Sequence, residues 1–500
     1  MDPSEPHGRP PPPPEHPTPP PAWVPGDGQA GEGPPAWATR GPWPPPPLPP
    51  TQPLPPVPPA PRPRRTGRVL AVVGLAVVVL LAAALVAGLL ALRPGVRVEP
   101  TPRPAAQGTA AQGAGAHATA DPRIEVPKLL AKRASAVLHG DRAAFLATVD
   151  RRRATYYRSQ ARLFDSMRTV PFSAIDFQVT DPRDSASASL RRRYAPDRVY
   201  LPHVQLRYRF RGQDASPVLG RLSYTFVLTR SGWRIGGQDD HRDDVQIWDA
   251  GPVRTLRSAR TLVVYHHGSE TLAGRLLRAA ERGYGEVAAT WTGRWERKVV
   301  ILVPRNQREA ERLVDARDLS PIAALSASSV ESGPGGRVLG NRIVVNSTVL
   351  APYRDLDLQN VVTHEMTHVA TRTLGNVPLF LVEGFAEYTA LRPYRRYALW
   401  RTRPALAERV AAGRFDGRLP SAAELRGRDG VVAYDEASTF CLWVAENYGE
   451  GRLRELYRVF AGSRPPTTTD LDLSFREVLG VSRRTAEPRW AAWVRARLRR

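Results

Sequence analysis

Hydrophobic and polar positions change rhythm several times along this chain, and each change marks an expected element. Up to Thr66 the apolar residues are scattered among prolines without a period, whereas Val69 to Leu92 runs unbroken as VLAVVGLAVVVLLAAALVAGLLAL. At about 1.5 Å of rise per residue such a run can cross about 30 Å of hydrocarbon as one helix. Residues 94–120, rich in Ala, Gly, Gln, Thr and Pro, lose the rhythm again. Beyond them Leu129, Leu130, Val137 and Leu138 follow helical spacing, and Asp141 is placed to cap a second helix carrying Phe145 and Val149. Alternation then takes over. Val204, Leu206, Tyr208 and Phe210 alternate with Gln205, Arg207 and Arg209, and Leu222, Tyr224, Phe226 and Leu228 repeat the period before a Ser231-Gly232 turn into Trp233 and Ile235. Helices followed by a curved antiparallel sheet is the economical architecture here. Strand-like runs return at Leu262–Tyr265, Val299–Pro304 and Arg342–Asn346, and helical patterning dominates after them.

The expected fold class is α+β, in five parts: a proline-rich disordered tail (1–66), a transmembrane helix (67–93), a flexible stalk (94–120), a helix-plus-curved-sheet domain (121–250), and a domain of mixed sheet followed by a mainly helical lobe (251–500). Composition sharpens this division. Of the 51 prolines, 28 fall within the first 66 residues, and no packed core can be built from such a stretch. Arg62, Arg64, Arg65 and Arg68 precede the apolar run and Arg93, Arg97 and Arg103 follow it, a bias that sets the N-terminus in the cytoplasm and everything after Leu92 outside the cell membrane. The tail is then available to cytoplasmic partners. The formal charge of +23 comes almost wholly from arginine in a chain also rich in Ala, Gly and Pro, a bias that GC-rich codons produce. No zinc-finger or recognition-helix signature converts that charge into nucleic-acid readout, so no nucleic-acid partner is expected. A single cysteine, Cys441, excludes a disulfide framework and cysteine-rich metal sites, and its apolar neighbours mark it as buried and inert.

Within the first folded stretch, His139–Leu146 and Ser231–Ile235 match the "hGDxxxFL" and "xxGWRI" segments with which nuclear-transport-factor-2-like domains begin and end, and the order of elements resembles such a domain. The resemblance implies a cone able to host a ligand. With no acid–base pair visible in it, a spacer or docking role is expected.

Chemistry concentrates in VVTHEMTHVA, where His364, Glu365 and His368 form H-E-x-x-H on a helical segment. Histidines at i and i+4 share a face, the spacing with which one rigid helix gives two imidazoles to a tetrahedral Zn²⁺, and Glu365 is then placed as general base toward water. Two imidazoles leave such a site incomplete. PLFLVEGFAEY supplies the missing donor: Pro378 starts a second helix, and after a turn at Gly375-Asn376 it returns to bring Glu383 level with the metal. One turn on, Glu387 comes level with His364, where its carboxylate can accept the free imidazole N–H. Gly384 and Ala386 are read as letting these two helices approach closely.

H-E-M-T-H followed by E-G-F-A-E-Y resembles the gluzincin zinc metallopeptidases, the clan of thermolysin and the aminopeptidase-type enzymes. The resemblance assigns zinc to His364, His368 and Glu383, water activation to Glu365 and support of the first histidine to Glu387. It also reaches VVAYDEASTFCLWVAENYG, similar to the segment whose tyrosine hydrogen-bonds the oxyanion, a role that passes to Tyr434. The fourteen residues between His368 and Glu383 are fewer than in the best-known members, implying a tighter loop. The G-x-M-E-N segment that clamps a free substrate amine is not found, so endopeptidase action or a restricted peptide specificity is preferred. Asn346 is read as lying on the edge strand that holds extended substrate. His266-His267 is a rival ligand pair, set aside as a solvated loop.

The expected protein is a membrane-anchored zinc peptidase acting on extracellular or cell-envelope peptides and proteins. The alternative is a non-catalytic envelope binding protein that retains a peptidase fold.

Overall fold

The computed structural model describes residues 121–500 except 239–242, 317, 320–321, 331–337, 373–375, 428–429, 461–465 and 499–500. The proline-rich tail, the apolar run Val69–Leu92 and the stalk lie outside the described residues. Among the described residues no helix is long and apolar enough to cross a membrane.

Three helices open the folded part: α1 (Pro122–His139), α2 (Arg142–Ala147) and α3 (Ala154–Met167). Asp121 caps α1 by accepting from Arg123 N–H, and Asp141 caps α2 by accepting from Ala144 N–H. Helix α2 ends before Val149, which instead bridges to Ile235 in the sheet. The strands that follow are β1 (Phe172–Asp181), then, after α4 (Ala188–Tyr194), β2 (Val199–Tyr200), β3 (His203–Phe210), β4 (Val218–Leu222), β5 (Tyr224–Thr229) and β6 (Gly232–Gln238). They form two three-stranded antiparallel sheets, β1-β3-β4 and β2-β5-β6, rather than one curved sheet. The alternating stretch 222–228 is cut at Ser223, where carboxylates replace a partner strand: Asp244 accepts from Arg221 N–H and Asp243 from Ser223 N–H.

A five-stranded sheet follows, in the order β10-β11-β9-β8-β7, built from β7 (Val253–Arg257), β8 (Thr261–His266), β9 (Val299–Val303), β10 (Ala324–Val330) and β11 (Val338–Val345). Its three inner strands are parallel and its two edges pair antiparallel. Parallel strands need both faces covered, which is why these segments read as continuous apolar runs. One face (Val263, Ile301, Ile343) shares a core cluster with α5 (Glu270–Thr290) and, beyond α6 (Gln307–Leu313), whose Ala310 joins the cluster of the opposite face, with α7 (Ser347–Leu350), α8 (Asp355–Thr371), α9 (Leu379–Leu391) and the later helices. The opposite face (Leu262, Val264, Leu302, Val344) clusters with Phe172, Tyr208 and Trp248 of residues 121–250. Arg342 on β11 reaches the same way and makes a bidentate, buried ion pair with Asp214 while lying over the Phe210 ring.

The helical lobe continues through α10 (Leu399–Thr402), α11 (Pro404–Ala411), α12 (Ala422–Leu425), α13 (Gly430–Tyr448), α14 (Glu450–Val459), α15 (Thr468–Leu479) and α16 (Arg483–Leu498). Asn346 is not on an edge strand. It follows the inner strand β11, and the edge belongs to β10. Its side chain is buried and donates Nδ2–H to Leu319 O at 2.9 Å, so it anchors the loop before β10 and is closed to substrate.

Candidate active site

Helix α8 is buried on almost every side, and its buried threonines are satisfied from within. Thr363, Thr367 and Thr371 each donate a hydroxyl to the carbonyl four residues back, and Thr371 also accepts from the Tyr457 hydroxyl at 3.1 Å. Asp355 and Asp357 occupy the first turn, where negative charge complements the helix dipole. His364 and His368 lie one turn apart with their ring centroids separated by 4.7 Å. Helix α9 brings Glu383 and Glu387, again one turn apart, against them.

The four side chains meet closely. His364 Nε2 lies 3.1 Å from His368 Nε2, and Glu383 Oε2 lies 3.3 Å from the first and 3.5 Å from the second. On the far side of its ring, His364 Nδ1 is 3.2 Å from Glu387 Oε2. An imidazole that donates its Nδ1–H to a carboxylate presents a bare lone pair at Nε2 when neutral. Three electron-rich atoms therefore face one another, an arrangement that repels unless a cation lies among them. A tetrahedral zinc ion with donors at about 2.0–2.1 Å has donor–donor edges of about 3.3 Å, the size of this triangle. Glu383 is 1% exposed, its Oε1 has no hydrogen-bond partner, and Glu365 Oε2 is likewise buried and unpartnered. Two neutral imidazoles, one carboxylate and spare acidic oxygens are a donor set suited to zinc.

The same carboxylates draw positive charge to this triangle, a proton or a metal ion alike. Burial opposes protonation of His364, but its bonds to Glu383 and Glu387 outweigh burial and hold the ring well above its ordinary range. Burial would raise Glu383, yet His368 and His364 hold it well below the carboxylate range. Glu365 goes the other way: burial pushes its carboxyl up against the pull of His368 and His364, as suits a proton acceptor near neutrality. Tyr434, near the start of α13, places its ring centroid 6.4 Å from that of His364, and burial together with the Glu383 carboxylate pushes its phenol well above the usual range. The structure thus brings His364, Glu365, His368, Glu383, Glu387 and Tyr434 together and leaves Asn346 out.

Two expectations differ from the structure. Gly384 does not ease the approach of α8 and α9: a Cβ on it would meet Ala437 O at 2.5 Å and Cys441 Sγ at 3.1 Å, so it admits α13. One residue past Glu383 is about 100° around the helix, which turns Gly384 away from the histidines. His266 is no solvated loop residue but a core histidine, 1% exposed, with Nε2 2.7 Å from Glu309 Oε1 and Nδ1 3.0 Å from Pro252 O; only His267 is exposed. Helix α8 ends at Thr371. Two features had escaped notice: the edge strand β10, whose Ser326 N–H faces Glu365, and Arg372 at the end of α8. The small residues ALSASSV hide β10, and the signal that could have found it is Gly333-Pro334-Gly335-Gly336 between two runs able to pair.

No family model and no curated protein matches this chain. Among solved structures it is similar to the M1 zinc metallopeptidase of Deinococcus radiodurans, at 14% identity over 65% of this chain and 70% of that chain, with a TM-score of 0.27. A point mutant of that enzyme gives 15% identity, 65% and 71% coverage and a TM-score of 0.28, and the same mutant bound to a Tyr-Ser-Ala substrate gives 15%, 65%, 70% and 0.27. Superposition this loose carries no argument about activity, which rests on the geometry of the chain's own residues.

Proposed function

We propose that this chain is a zinc-dependent peptidase. The observation that carries the reading is the buried triangle of His364 Nε2, His368 Nε2 and Glu383 Oε2, closed to within 3.5 Å and braced by Glu387 behind His364. When bound, zinc supplies Lewis acidity, lowering the pKa of water and polarising a carbonyl. The protein's own groups supply the rest. His364, His368 and Glu383 hold the ion, and Glu387 fixes the tautomer of His364. Glu365 takes a proton from the attacking water and hands it to the departing amine. Tyr434 donates its hydroxyl to the developing oxyanion, a task for which a phenol held protonated is well suited.

The substrate is a peptide or protein gripped beside edge strand β10, cleaved with restricted specificity and most simply within the chain. The apolar run Val69–Leu92 supports placement as a single-pass cell-membrane protein with its tail in the cytoplasm and this site outside, facing envelope or extracellular substrates. Replacing Glu365 with Gln tests the reading: zinc content measured on the purified protein should be unchanged and peptide cleavage abolished. Undiminished cleavage by that variant refutes the assignment.

A further inference from the structure

Arg372 follows His368 by four residues as His368 follows His364, so it continues the same line of α8 about 6 Å beyond the histidines. Three arginines around this lobe each have a carboxylate close by: Arg275 with Asp355 at 2.7 Å, Arg392 with Glu286 and Glu450 at 3.0 Å, and Arg403 with Asp435 at 3.7 Å. Among the described residues Arg372 has no such partner. Among the described residues its one hydrogen bond is long, Nη1 to Asn341 Oδ1 at 3.5 Å. Desolvation pushes its guanidinium down to about 10, which leaves it charged at neutral pH, and the groups that stabilise that charge are Glu365 and Tyr457. The side chain is half-buried, and among the described residues its other N–H groups meet no acceptor, which leaves them for a ligand.

Its side of the site is the informative point. Glu365 must deliver a proton to the departing amine, so the residues released after cleavage lie on the side of Glu365. Arg372 reaches Asn341 on β11, and β11 pairs there with β10 through Arg342 and Ala327, next to Ser326, whose N–H faces Glu365. A step of about 6 Å corresponds to one or two residues of extended chain.

We propose that Arg372 is a specificity-determining residue that binds a substrate carboxylate one or two residues beyond the scissile bond on the leaving-group side. A planar guanidinium with free N–H groups matches a carboxylate bidentately. That carboxylate is either the free C-terminus of a short peptide or an acidic side chain. The inference deepens the peptidase reading and rests on it.

The test uses the purified full-length protein and N-acetylated oligoalanine peptides in three forms: the free acid, the C-terminal amide, and the amide with one Asp placed at each position in turn. Wild type should cleave the free acid with kcat/KM about 10- to 100-fold above the amide if the chain end is the anchor, or recover that factor with Asp if a side chain is. In Arg372→Gln the ratio should fall toward one, and Arg372→Lys should retain part of it. A purely structural role would slow acid and amide equally, and the ratio within each variant is independent of how much protein is folded. Wild type that cleaves all forms alike, or a ratio that survives in Arg372→Gln, overturns the proposal. Equilibrium binding of the labelled peptides to the Glu365→Gln variant separates the two readings. If wild type cleaves nothing, the peptidase reading fails, but acid-over-amide binding that vanishes when Arg372→Gln is added still supports the carboxylate site. Equal binding of acid and amide overturns it.

Discussion

Glu387 offers the sharpest quantitative prediction, because it touches the candidate metal centre only through His364. Its Oε2 lies 3.2 Å from His364 Nδ1, between side chains 10% and 9% exposed. Replacing it with Ala removes a hydrogen bond to a charged acceptor and leaves a buried N–H without a partner, each change worth about 1.5–3 kcal/mol at such burial. The bond serves the imidazole in the state that donates Nε2 to a metal, so its loss should appear as weakened zinc binding of about 10- to 100-fold, the usual size of such supporting contacts. Glu387→Gln keeps an acceptor oxygen but sheds the charge, and should lose about half as much on a free-energy scale. Zinc affinity measured by competition with a chromophoric chelator reads both variants, and kcat/KM followed against free zinc should show activity restored as zinc is raised. An Ala variant that binds zinc within twofold of wild type, or one whose activity no concentration of zinc restores, refutes the reasoning. The first outcome would mean that Glu387 does not support the ligand, and the second that it takes part in the chemistry.

Other substitutions probe the remaining parts. Tyr434→Phe should lower kcat by about 10²–10³ with zinc content and KM little changed, and a kcat within threefold of wild type would remove Tyr434 from the oxyanion role. Gly384→Ala drives a methyl against Ala437 O, only 2.5 Å from the added Cβ, so α9 and α13 must part. A loss of about 1–3 kcal/mol in denaturant unfolding is expected, with weaker zinc binding because Glu383 is the adjacent residue. Burial, against the pull of Arg403, pushes the Asp435 carboxyl up to about 8, above its unfolded value of about 3.9. Its contribution to stability is therefore full below about pH 4 and is lost as pH rises toward 8. Melting curves of wild type and Asp435→Asn should diverge over that interval, the Asn variant falling less, and parallel curves would contradict the burial argument.

The site was legible in the sequence because helices convert spacing into geometry. Residues four apart share a face, so His364 with His368 and Glu383 with Glu387 each formed a rigid pair, and a short connection left two antiparallel rods as the simplest way to join them. What spacing cannot convey is which neighbour covers the remaining faces. Gly384 looked like a contact between α8 and α9 because it follows Glu383, yet its face belongs to α13, from a segment some fifty residues on. Asn346 followed a strand whose place in the sheet is decided by β10, and β10 has too few large apolar residues to announce itself. Arg372 reads in sequence as an ordinary cation at a helix end, favourable with the dipole. Only the position of Glu365 and the absence of an ion-pair partner among the described residues give it another meaning.

The sheet's second face gives residues 121–250 a larger part than a spacer or docking module. Leu262, Val264, Val300, Leu302 and Val344 point away from the helices of the candidate site and are buried in one cluster with Phe172, Tyr208 and Trp248. At about 2 kcal/mol for each buried aliphatic side chain, uncovering these five would cost on the order of 10 kcal/mol, comparable with the whole stability of a typical domain. The parallel strands cannot stand with that face in water. Helix α8 is held against the opposite face, so the positions of His364 and His368 depend on a sheet that residues 121–250 complete. The coupling also has a polar contact: Asp214 holds Arg342 on β11 in a buried ion pair. A geometry that must be kept to within about 0.5 Å to bind an ion, as proposed for this site, needs supports of this kind on both sides of the sheet.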